Sequence, residues 1–174
     1  PATSVAAADE PKPADVVPAR GACIKVAASK DRFDRPVVFP IGHIECKVSG
    51  QDTGGSLYVF ETLTASEDRP ARHLHHDQDE WFYVLEGEYA FEVGEEKFVL
   101  KAGDCLFAPR KVPHVWASIG EKPGRMLVVL QPAGTLEEFF RELPKYAEKA
   151  TPADFERLYA DHGMKVVGPP LPLT

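Results

Sequence analysis

From Val37 to about Gln131 the chain is a succession of short β-branched and aromatic runs, separated by Gly, Pro, Asp and Lys turn residues. Runs of that kind build a closed antiparallel β-structure, so the fold class is mainly β. Strands are expected near 37–48, 56–64, 80–86, 88–93, 96–101, 104–108, 114–119 and 125–131, with bends at Gly54-Gly55, Gly87 and Gly94. In the run from Glu80 to Leu85, alternation puts Glu80, Phe82 and Val84 on one face and Trp81, Tyr83 and Leu85 on the other. Both faces are apolar. The outer one therefore needs a cover from another sheet, the terminal segments or a second subunit, and a homodimer is expected.

The flanks differ from this middle. Residues 1–21, with Pro1, Pro11, Pro13, Pro18 and many alanines, suit an extended arm that reaches over the domain or a neighbour. The barrel is assigned to 22–134, and 135–174 to two C-terminal helices and a tail packed on it. Thr135 and Glu138 have capping-box spacing, and Leu136, Phe139, Phe140 and Leu143 form an apolar stripe that Pro144 ends or kinks. A second helix is predicted from Thr151 as cap and Pro152 in the first turn to Gly163, with Phe155, Leu158 and Tyr159 on its inner face. The stretch Gly168 to Pro172 reads as an extended tail.

Composition narrows the partners. A net charge of −7 and a pI near 5.4 argue against nucleic acid, and no run approaches the roughly 18 apolar residues that cross a bilayer as a helix. Cys23, Cys46 and Cys105 are too few and scattered for a disulfide framework or a four-thiolate zinc site, and are expected as free thiols. Cys105, the one most open to a cavity-facing reading, has nothing near it in sequence to lower a thiol pKa and is expected to be inert. The sequence opens at Pro1 without an initiator Met, and Ala6-Ala7-Ala8 before Asp9 is like the small-residue end of a secretory leader, so export is expected over a cytoplasmic location.

Chemistry concentrates in one block. His73 and His75 are two apart, which on extended backbone points both imidazoles to one face. Glu80 follows a turn through Asp77, Gln78 and Asp79, and His114 supplies a third imidazole from a distant strand. Three nitrogens and one oxygen suit one divalent transition metal, Fe, Mn, Ni, Co, Cu or Zn, with positions left open for water or substrate. His76 has the opposite strand parity and is expected outside the ligand set; His43 and His162 are expected to be structural. Phe82, Phe91, Phe107 and Trp116 are candidates for the barrel interior.

This block resembles the cupin family. Its first motif, His-x-His, four residues, Glu, six residues, Gly, is similar to His73-Leu74-His75, Glu80 and Gly87; its second is similar to Gly103, Pro109 and His114, with fifteen residues between Gly87 and Gly103. The chain departs from the pattern at Glu67 and Lys111, where Gly is usual, and at Ser118, where Asn is usual. None of these three is a ligand position. The resemblance covers about residues 37–131 and implies a jelly-roll barrel.

By similarity to quercetin 2,3-dioxygenase-like single-domain cupins, the expected activity is a mononuclear metal dioxygenase using O2 on a small enolic or phenolic, flavonol-like substrate. Glu80 would take the proton from a substrate hydroxyl. The alternatives are a cupin isomerase or epimerase, and a non-catalytic small-molecule binding or sensing cupin.

Overall fold

The computed structural model describes residues 23–39, 42–64, 69–146 and 150–172; the expected arm at 1–21 lies outside the described residues. Among the described residues eleven strands run in chain order as β1 (Val37–Phe39), β2 (Gly42–Val48), β3 (Tyr58–Thr64), β4 (Arg72–His75), β5 (Asp79–Glu86), β6 (Glu88–Val93), β7 (Glu96–Lys101), β8 (Cys105–Ala108), β9 (His114–Ser118), β10 (Gly124–Gln131) and, after the helices, β11 (Met164–Gly168). They form two sheets, β1-β2-β3-β10-β5-β8 and β11-β4-β9-β6-β7. Every pairing is antiparallel. This is the expected mainly-β jelly roll.

Alternation decides what the sheets enclose. Tyr58, Phe60, Phe82, Val84, Met126, Val128 and Leu130 are buried, and from the second sheet Tyr89, Phe91 and Leu100 join them in one core. Gly87 links β5 to β6 at φ +85°, and a Cβ there would lie 2.9 Å from the Gly124 Cα, so both backbone angle and space call for glycine.

Three expectations about elements change. The segment 37–48 is a hairpin rather than one strand, with Val37 opposite Ile44 and Phe39 opposite Gly42. The segment carrying His73 and His75 is a strand of its own, β4, and the chain pairs β11 against it. Phe107 points outward and is 56% exposed, while Phe82, Phe91 and Trp116 pack in or against the core. Cys105, two residues before it, is also exposed, and Cys23, Cys46 and Cys105 are all free thiols.

The helices follow the expected stripes with one difference at a cap. Helix α1 spans Leu136–Glu142 and passes into a 3-10 turn at Leu143–Tyr146; Thr135 is its N-cap residue but makes no side-chain cap bond. Glu137 instead ties α1 to the barrel, accepting from Ser49 Oγ at 2.7 Å and from Gly50 N at 3.2 Å. Helix α2, Pro152–Asp161, has the full capping box of Thr151 and Asp154. Beyond β11 the tail lays Leu171 on Val115 and Ala117, covering the outer face of β9.

Candidate metal centre

Strands β4 and β9 lie side by side with His73 opposite His114. Period-two alternation places His75 on the same face as His73. Glu80 comes from β5 in the facing sheet, where it pairs with Leu130 and Ala108. The four are buried, and one ligand atom from each lies within 4.8 Å of the others. The structure thus brings together all four residues the sequence singled out. His76 is exposed and outside the group.

Each imidazole is held from behind. His73 Nδ1 lies 2.8 Å from Ala71 O, His75 Nδ1 3.2 Å from Gln78 Oε1, and His114 Nδ1 3.2 Å from Val112 O. An Nδ1–H donating to these oxygens leaves Nε2 with its lone pair free, the tautomer that binds a metal. His75 Nε2 and His114 Nε2 sit 3.2 and 2.9 Å from Glu80 Oε2. None of these three atoms has a hydrogen-bond partner, although all are fully buried. Two ring nitrogens thus face one carboxylate oxygen at close range. Two buried nitrogens and one carboxylate oxygen left open in this way, with His73 completing the cluster, fit a divalent transition metal.

The charges of the cluster are coupled to one another. Burial, followed by His114 and His75 nearby, pushes His73 down to about 3, so its ring is neutral at ordinary pH. Burial alone would raise the Glu80 carboxyl, but His114 and His75 outweigh it and hold the group well below the usual carboxylate range. For His75 burial lowers the pKa, and contact with Glu80 more than restores it, leaving it raised.

Two supporting residues were missed as site residues because nothing in their spacing separates them from ordinary turn residues. Gln78 is buried; besides meeting His75, it donates from Nε2 to Ala133 O at 2.6 Å. Gly134 makes room for it, since a Cβ there would fall 2.4 Å from the Gln78 amide. Asp79 accepts from Arg110 N at 2.9 Å and Arg110 Nη2 at 2.7 Å, fastening β5 to the turn that leads into His114. That contact lowers Asp79 to about 2.

The two departures from the motif that fall on described residues have physical consequences. Lys111 sits at φ +66°, a left-handed angle that explains why glycine is usual there, and its N–H donates to His75 O at 2.7 Å. Ser118 is fully buried with no partner for its hydroxyl.

Beside the cluster opens a cavity of about 680 Å³ bordered by His73, His75 and Glu80. Ile44, Phe60, Phe82, Trp116 and Val128 wall it from the barrel, and Leu136, Phe139, Phe140, Phe155 and Tyr159 close it from the helices. Arg69 and Glu156 are the charged side chains on its border apart from the cluster.

The family's Cupin domain profile matches residues 59–130, the stretch that carries all four cluster residues. An uncharacterized protein of Streptomyces coelicolor is 33% identical over 76 residues, 44% of this chain and 67% of that protein. The chain belongs to the cupin superfamily. Another relative of this cupin, an uncharacterized protein of Methanocaldococcus jannaschii, is 35% identical over 80 residues, 46% of this chain and 64% of that protein, slightly less than two thirds of its length. A solved mutant of Bacillus subtilis oxalate decarboxylase superposes with a TM-score of 0.51 at 18% identity, covering 57% of this chain and 28% of that one. That likeness is one of fold.

Proposed function

We propose that this cupin is a mononuclear metal-dependent dioxygenase acting on a small enolic or phenolic substrate, with His73, His75, Glu80 and His114 as the metal ligands. One observation carries the reading: buried imidazole and carboxylate tips converge without hydrogen-bond partners at the edge of a large apolar cavity. A redox-active divalent ion held there would supply electron transfer between an organic oxygen anion and O2. The chain supplies the rest. Apolar walls exclude water and seat a ring-bearing substrate. Glu80 accepts the hydroxyl proton of the enol or phenol at Oε, a transfer made possible by the acidity that ligation would give that hydroxyl. Gln78 and the carbonyls of Ala71 and Val112 keep the imidazoles aimed while that proton moves. The half-covered outer face of β5 supports a homodimer as the working form.

Elemental analysis of the purified protein, followed by oxygen-electrode assays with flavonols, catechols, diketones and thiols, tests the reading. Stoichiometric Fe, Mn, Ni, Co or Cu with substrate-dependent oxygen uptake is expected. One observation favours a second reading, isomerisation by acid and base without redox: the Tyr159 phenol shares the cavity with Glu80. Zinc or no metal, with no oxygen uptake on any of these substrates, moves that reading ahead.

A further inference from the structure

Tyr159 lies on α2, outside the segment matched to the Cupin domain family, yet it reaches the centre. Its ring packs edge-on to His73 at 5.5 Å between centroids and to Phe139 at 5.0 Å. Among the described residues its hydroxyl has no hydrogen-bond partner. Nor is that oxygen among the sealed polar atoms, and the Tyr159 side chain borders the cavity. A phenol in such a place leaves one donor facing the space where a ligand must sit.

The placement is fixed by more than the ring. The Thr151 and Asp154 capping box secures the start of α2. At its other end His162 Nδ1 meets Thr135 O at 3.0 Å, pinning α2 to the start of α1. β11 then runs directly out of α2 into its pairing with the strand of His73 and His75. Helix, strand and histidines are therefore linked by successive contacts.

We infer that Tyr159 is a positioning residue whose hydroxyl donates a hydrogen bond to an oxygen of the ligand seated beside His73 and Glu80. The ligand class follows: an oxygen acceptor at the end facing the metal ligands, and an apolar, ring-sized body lying between Phe60, Phe82, Trp116 and Phe139. The assignment rests on the open-metal reading proposed above but not on oxygen chemistry. Glu80 takes a proton at that end of the ligand, and Tyr159 orients an oxygen without giving its own proton up.

The test uses the full chain loaded with Co(II), titrated with acetohydroxamate and with benzohydroxamate and followed by the cobalt visible spectrum. Both probes present the same pair of oxygens; the second adds a ring. The unaltered protein is expected to bind benzohydroxamate more tightly. In Tyr159→Phe, which keeps the ring against His73 and Phe139, both dissociation constants are expected to rise by roughly ten-fold, the size of one lost hydrogen bond. The ratio between the probes, the cobalt stoichiometry and the melting temperature should not move. Unchanged affinities overturn the assignment and leave Tyr159 as packing. A collapse of the ratio between the probes also overturns it, because the substitution has then disturbed the helical cover rather than one donor. No spectral change with either probe in the unaltered protein overturns the open-metal reading and this assignment together. A ten-fold loss that persists where no oxygen uptake is found sinks the dioxygenase alone.

Discussion

At the residue scale, the four cluster residues do different work although they share one point. Glu80→Gln retains an amide oxygen able to coordinate and leaves three imidazoles in place, so metal content should stay close to that of the unaltered protein. Turnover, once a substrate is found, should fall by about 100- to 10,000-fold, the usual effect of removing a positioned base. His114→Ala should instead lower metal occupancy itself, since β9 offers no replacement nitrogen. Metal analysis alongside initial rates separates the two; a Glu80→Gln protein at full rate would make the carboxylate a ligand only. Gln78 permits a second prediction. Gln78→Met keeps much of the volume but removes the acceptor for His75 Nδ1 and the donor to Ala133 O. Metal affinity, measured by chelator competition, should drop by about 10- to 100-fold, as is typical when a partner behind a ligating histidine is lost. Equal affinity would show that the backbone of β4 alone orients the ring.

At the scale of elements, β4 explains why the end of the chain matters to a site encoded in its middle. On one side it meets β9 through the single His73–His114 pair. On the other, β11 sets Met164 opposite His75, Lys165 opposite Leu74 and Val166 opposite His73. Ending the chain at Gly163 should therefore lower metal occupancy and melting temperature together, by metal analysis and thermal denaturation. Thr151→Ala, which removes only a helix cap, should cost about 1 kcal/mol and leave occupancy intact. The ligand set and most strands were legible because histidine spacing and alternation are local signals. β11 was not, since Met164–Gly168 offers five residues after a helix and takes its register from a distant strand. The capping box expected at Thr135 does not form, because Thr135 sits at φ −117° and ψ 23°, outside the extended geometry that aims an N-cap side chain at the first turn. Gln78 looked like a turn residue because only the folded chain carries Ala133 beneath it.

For the whole molecule, the two sheets differ in what remains on their outer sides. Leu171 covers Val115 and Ala117 on the second sheet. The first sheet has a row set by its registers, Phe107 opposite Trp81, Trp81 opposite Val129 and Val129 opposite Val59, with Tyr83 and Leu127 in the next row. Helices α1 and α2 cannot cover it, because their apolar sides are spent on the cavity and the core. Trp81 and Tyr83 stack on each other with 5.8 Å between ring centroids. An antiparallel sheet bearing such a row can pair with its own copy about a two-fold axis, the commonest symmetry of small oligomers. Stable pairs usually bury about 800 Å² on each partner, more than one row of side chains supplies, so the contact should extend over both rows. Light scattering should then give a mass near twice 19.2 kDa. Replacing Trp81 and Phe107 together with Lys should yield monomers, because like charges would face each other across the axis in place of the largest apolar contacts. These side chains point away from the cavity, so the monomeric variant should keep its metal. A single-chain mass for the unaltered protein at working concentration would end the dimer proposal, and loss of metal in the monomeric variant would mean that the paired sheet also steadies Glu80 on its inner face.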